Sequence, residues 1–246
     1  MAEEEEVTPL VLAFQQYAKS LTALHEQRER LIKASRDLTN AGKKFVFLLH
    51  RTPNSAEGME EARKAMVSMQ QKELRRLAEA LKGKPYYEFH RSFSPGFQEY
   101  IEGVAFYKFK KSFVEYTERE DEKIPDDFAP FILTYEELCD LQEQAGVQIK
   151  VDYMDYLLGL ADTTGECMRL CIGLSAKVNS VDVHACQFIC AFMRELYRTF
   201  VALPSPSKGE LRKKVATLTN SVLKCENALC TMDLRIVEQA QIETNS

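Results

Sequence analysis

The sequence predicts an all-α protein, on three observations. An apolar seam with alternating 4,3 spacing runs through the first fifty residues. Gly (10) and Pro (8) are few in 246 residues and Trp is absent, a composition short of the turn residues that a β fold consumes. Apolar/polar alternation over strand-length windows is nearly absent.

The seam is Leu10, Phe14, Tyr17, Leu21, Leu24, Arg28, Leu31, Ser35, Leu38, Gly42, Phe45 and Leu49, a heptad pattern that predicts one helix over about 9–50. Arg28, Ser35 and Gly42 interrupt it more often than a two-stranded coiled coil tolerates, so a bundle or oligomer fits better. The seam is also long for one domain to cover alone. Pro53 stops this helix and Asn54 or Ser55 can cap the next, expected over 56–81 and ended by Gly83-Lys84-Pro85. A third helix follows over 86–116, with a bend expected at Ser94-Pro95-Gly96. The stretch 117–150 is the least regular, carrying the charge run 118–123, Pro125, Pro130 and one short helix near 135–144. Helices are then expected over 151–174, 181–202 and 208–237, with Pro204 and Pro206 between the last two. The expected organisation is a disordered acidic leader (1–8), one domain of about seven helices (9–240) and a short tail (241–246).

The formal charge of −5 does not mark a nucleic-acid binder, although a local basic face matters more than the total. Seven cysteines, an odd number, and a first segment without the basic and apolar regions of an export signal point to a reducing, cytoplasmic compartment. No apolar run reaches the length of a membrane span.

Two segments carry the chemistry. Glu99 and Glu102 in GFQEYIEGVAFYKF, and Asp162 and Glu166 in DYLLGLADTTGECMRLC, are pairs at helical spacings i,i+3 and i,i+4, so each pair shares a helix face. Both lie among apolar residues, where an ionised carboxylate is costly unless a cation or hydrogen bonds offset its desolvation. Four such acids from two helices suggest a hard divalent metal. The plainer reading is surface carboxylates paired with Lys or Arg. Cys167/Cys171 and Cys186/Cys190 have helical i,i+4 spacing, yet structural zinc favours knuckle pairs, so they are assigned to packing. None of His25, His50, His90 and His184 belongs to an H-E-x-x-H or Glu-x-x-His motif, which disfavours zincin and di-iron chemistry. Basic clusters lie along several helices, and Lys108, Lys110 and Lys111 sit close in sequence to the first acidic pair, as phosphate contacts beside a metal would.

LIKASRDLTNAGKKFVFLLHR, GFQEYIEGVAFYKF and DYLLGLADTTGECMRLCI, with Arg169 inside the last, resemble the translin superfamily, on the side of its translin-associated branch rather than translin itself. The resemblance covers roughly residues 10–230 and is weakest over 117–150. It implies a helical subunit that joins translin in a closed hetero-oligomeric shell, octameric in that family, and supplies an Mg²⁺-dependent endoribonuclease site, with Mn²⁺ as a substitute. The implied substrate is single-stranded or nicked RNA, including the passenger strand in RNA silencing and tRNA fragments; single-stranded DNA is a further expected ligand, and the nucleus a second location. The family's metal-site acids fall on Glu99, Glu102 and Asp162, with Glu166 as a fourth. A non-catalytic adaptor that stabilises translin and adds nucleic-acid-binding surface is the alternative.

Overall fold

A computed structural model describes residues 8–118, 123–176, 180–204 and 209–244. The leader through Val7, most of the 118–123 charge run, Pro206 and the last two residues lie outside the described residues. Those described are helical with no strand: α1 (Pro9–Arg51), α2 (Ala56–Met69), a π-helical turn (Gln70–Leu74), α3 (Arg75–Leu81), α4 (Tyr86–Thr117), a 3₁₀ turn (Ala129–Phe131), α5 (Tyr135–Gln144), α6 (Tyr153–Ser175), α7 (Ser180–Ala202) and α8 (Glu210–Thr244). Because α2, the π turn and α3 run on as one rod, these are the seven helices that the seams and breakers predict.

The boundaries follow from local chemistry. Thr8 caps α1 by accepting from the Val11 amide, with Pro9 in the first turn, and Pro53 follows directly after the Thr52 cap. Ser55 accepts from the Gly58 amide to start α2. Thr134 and Glu137 form a reciprocal capping box on α5. Pro95 lies inside α4 without ending it. α8 continues to Thr244, past the expected end at 237.

α4 lies at the centre, packed against α1 on one side and α6 on the other, while α6, α7 and α8 pack on one another. Its aromatic residues Phe89, Phe93, Phe97, Tyr100, Phe106, Phe109 and Phe113 are almost completely buried. Phe109 meets Phe192 of α7 at a ring separation of 4.5 Å, and Tyr116 meets Phe188 at 4.6 Å.

Two of the three interruptions in the α1 seam, Ser35 and Gly42, are where α1 and α4 touch closely. A Cβ on Gly96 of α4 would stand 2.3 Å from the Ser35 carbonyl oxygen, and one on Gly42 3.0 Å from the carbonyl oxygen of Glu99. Ser35 donates its hydroxyl to the Phe93 carbonyl and accepts from the Gly96 amide, so its polarity is satisfied inside the contact. On the other flank, a Cβ on Gly159 of α6 would meet the Ile101 side chain at 2.7 Å. The seam itself divides: Leu31, Ser35, Leu38, Gly42, Phe45 and Leu49 are buried, whereas Leu10, Phe14, Tyr17 and Leu21 are exposed. Cys167, Cys171, Cys186 and Cys190 are fully buried free thiols, as the packing assignment expected.

Candidate functional site

The close α1–α4 and α4–α6 contacts bring the two acidic pairs to one place. Glu99 and Glu102 lie on α4, and Asp162 and Glu166 on α6. Thr163, between the second pair, donates its hydroxyl to the Gly159 carbonyl one turn back, and Thr164 does the same to Ala161. Both threonines thus satisfy their polarity within the helix and leave the carboxylates free for other contacts.

Three of the four acids are held by cations of the chain itself. Lys214 of α8 lies 2.5 and 2.6 Å from the two oxygens of Asp162. Glu166, buried, accepts from His50 Nε2 at 2.7 Å and from Arg169 at 2.8 and 2.7 Å. The His50 ring rests against Phe106, with ring centroids 4.9 Å apart. Lys43 stands 3.5 Å from Glu99, whose carboxyl is pushed above the ordinary value by burial, partly offset by Lys43.

Glu102 differs. Its half-buried carboxyl has no hydrogen-bond partner among the described residues, and burial together with Asp162, Glu99 and Glu166 pushes it up to about 8, against a smaller pull from Lys214. That response to all three other acids places it at the convergence of the group. Protonated near neutral pH, it can donate a hydrogen bond; ionised, it needs a counter-charge.

The donor set of four carboxylates is hard oxygen chemistry and suits Mg²⁺ or Mn²⁺ rather than a thiolate-seeking metal. Among the described residues, however, no three His, Cys, Asp or Glu side chains stand in an arrangement ready to hold a metal. The Lys214 ammonium contacts both Asp162 oxygens, for which a divalent ion would have to compete.

Two expectations change. Lys108 to Lys111 do not serve the acidic group: Lys108 pairs with Glu137 of α5 at 2.7 Å, Lys111 with Glu115, and Lys110 is buried, donating to the carbonyls of Leu49 and Thr52 at the end of α1. Lys108 and Lys110 tie elements together, and the cations at the acids are instead Lys43, His50, Arg169 and Lys214. Of these, only the i,i+3 spacing of Arg169 from Glu166 was visible in sequence; the others come from distant helices. The second is Asp155, buried on α6 and absent from the candidates. It accepts from His90 at 2.7 Å, Ser94 at 2.6 Å and Gln98 at 2.8 Å, which pins α6 to α4 below the acidic group.

Similarity to known proteins fits this arrangement. The chain is 33% identical over 235 residues to Translin-associated protein X of Mus musculus, covering 93% of this chain and 80% of that protein. It is 28% identical over 218 residues to the homolog from Schizosaccharomyces pombe, covering 85% of this chain and 82% of that protein. Among solved structures, the fold matches apo-NeC3PO at a TM-score of 0.62 and 20% identity, over 89% of this chain and 96% of that one. It matches AfC3PO in complex with duplex RNA at 0.62 and 18%, over 91% and 97%. With the Translin family profile matching residues 26–236, across both acidic pairs and all the cations that hold them, the chain belongs to the Translin family.

Proposed function

We propose that this chain is the catalytic subunit of a translin-type endoribonuclease that hydrolyses phosphodiesters in single-stranded or nicked RNA with Mg²⁺. The observation that carries the reading is Glu102: a half-buried carboxyl without a hydrogen-bond partner among the described residues, raised by its burial and by three neighbouring acids. The similarity to an RNA-bound AfC3PO supports RNA as the ligand, and the relatives named Translin-associated protein X support translin as the assembly partner.

Glu99, Glu102 and Asp162 would hold the metal, and Glu166 would orient a water through one oxygen while His50 and Arg169 fix its position. The bound ion would supply charge neutralisation at the phosphate and a lowered pKa for water. The chain's own part is positional: Lys43 and Lys214 place two ammonium groups beside the acids, where a phosphodiester's negative oxygens can be received. We place the protein in the cytoplasm, with the nucleus as a second location.

The decisive test is cleavage of single-stranded RNA by the chain co-expressed with a translin partner, in Mg²⁺ or EDTA, for wild type and Glu99→Ala/Glu102→Ala. Mg²⁺-dependent cleavage lost in the double variant, with assembly intact, supports the proposal. A second reading, a non-catalytic adaptor, is favoured by the ion pairs that already occupy Asp162 and Glu166. No cleavage by an intact wild-type assembly would establish it.

A further inference from the structure

A polar cavity lies far from the acids, where the end of α3, the start of α4 and the segment after α5 meet. It encloses about 680 Å³ and is lined by Arg75, Lys82, Lys84 and Lys150, with Tyr86 on its wall and Glu79 and Glu143 as its acids. Thirteen residues of α4 separate Tyr86 from Glu99, which is about 20 Å along a helix.

Three observations set this cavity apart. None of its four cations pairs with a carboxylate among the described residues, although Glu79 and Glu143 line the same cavity. Arg75 donates instead to the Ala145 carbonyl at 2.9 Å, and Lys150 to the Tyr87 hydroxyl at 2.9 Å. Tyr87 is 72% exposed, and the Lys150 ammonium lies 4.7 Å from its ring centre and 5.4 Å from that of Tyr86. Finally, the π-helical turn at Gln70–Leu74 ends directly at Arg75. Such turns occur frequently at functional sites, and the added residue changes the direction in which every later side chain of the rod points.

We infer that this cavity binds a nucleotide bearing a terminal phosphate, its phosphate among Arg75, Lys82, Lys84 and Lys150 and its base outside the cavity lining, on the exposed ring of Tyr87 that Lys150 contacts. The three lysines are point charges that suit a phosphate, and the planar guanidinium of Arg75 is a phosphate-binding group as well. An exposed aromatic ring with an ammonium at its face is the kind of platform on which bases stack. The volume suits one nucleotide rather than a duplex. The same chemistry is offered by a free mononucleotide and by the phosphorylated 5′ end of a strand. The inference stands apart from the nuclease reading, because it concerns binding at a different place.

The test uses the full chain carrying Glu102→Ala, in EDTA, so that cleavage cannot confound it. Fluorescence anisotropy compares one short oligoribonucleotide, labelled at its 3′ end, with a 5′-phosphate and with a 5′-hydroxyl. The phosphorylated strand should bind at least ten-fold more tightly. Adding Lys82→Glu/Lys84→Glu should erase that difference, and Tyr87→Ala should weaken the phosphorylated strand several-fold with its fold intact by circular dichroism. Competition by AMP but not adenosine assigns the site to free mononucleotides as well; a phosphate preference without AMP competition assigns it to strand ends. Equal binding of the two strands with no AMP competition overturns the inference. So does an unchanged preference in the charge-reversed variant, or displacement by an oligo-glutamate peptide at lower concentration than by AMP.

Discussion

Glu102→Gln should make the metal-free protein more stable, and increasingly so as pH rises. A carboxyl whose value is raised from 4.5 to about 8 in the fold keeps a proton that the unfolded chain has already released over that interval. The native state therefore binds more protons than the unfolded state between those limits, and stability falls as pH climbs through them. Its contribution is fully present below about pH 4.5 and lost by about pH 8. At 1.36 kcal/mol per pH unit the ceiling is about 5 kcal/mol, and partial solvent access at a half-buried site brings the expected figure to about 3 kcal/mol. Glutamine fills nearly the same volume and carries no charge, so it removes the cost without opening a cavity. The assay is urea denaturation of wild type and Glu102→Gln at pH 5, 7 and 8.5 in EDTA. The variant should match wild type at pH 5 and exceed it by about 3 kcal/mol at pH 8.5. Under the proposed function, Mg²⁺ should narrow the gap by binding only the wild-type site. A constant difference across pH, or a variant that is less stable at 8.5, would refute the claim that four carboxylates crowd one another here.

Other consequences follow from the same contacts. Lys214→Met should raise the affinity for Mg²⁺ several-fold by removing the ammonium from both Asp162 oxygens, read by calorimetric titration; unchanged affinity would separate Asp162 from the metal. Lys110→Met should destabilise by about 2–4 kcal/mol through the stranded carbonyls of Leu49 and Thr52. Because burial lowers Lys110 to about 8, wild type should also regain stability between about pH 8 and 10.5, a rise absent from the variant's denaturation curves. Gly96→Ala drives a methyl into the Ser35 carbonyl and should cost about 3 kcal/mol or more, whereas Gly165→Ala, which meets nothing within 4 Å, should be neutral or slightly stabilising in the same melts.

Helix positions were legible in the sequence because periodicity and breakers are local. Pro53 and Gly83-Lys84-Pro85 marked ends to within a residue or two. The acidic pairs were legible for the same reason, since i,i+3 and i,i+4 spacing within apolar runs needs no tertiary knowledge. Their partners were not: Lys43, His50 and Lys214 approach from α1 and α8, and no spacing along one helix predicts a neighbour 52 to 116 residues away. Proximity in sequence was also misleading for Lys108 to Lys111, because a helix turns each side chain by about 100°, sending Lys110 into the core toward α1. The seam showed that Ser35 and Gly42 were unusual, but reading them as close contacts required α4 beside them. The π turn left no trace in the apolar pattern.

The N-terminal half of α1 has a thermodynamic consequence. From Pro9 to Arg30 the helix has no fully buried residue, and that span is about 33 Å of rod. A helix without tertiary contacts is marginal in water, so these turns draw their order from propagation out of the packed half that starts at Leu31. Their amide protons should exchange with solvent far faster than those of Leu31 to Leu49, in a gradient that steepens toward Thr8. Any assembly that covers Leu10, Phe14, Tyr17 and Leu21 must flatten this gradient, because ordering the rod and burying its apolar face become a single event. Deuterium uptake along one helix therefore reports how far assembly has proceeded, residue by residue, without a label on any partner.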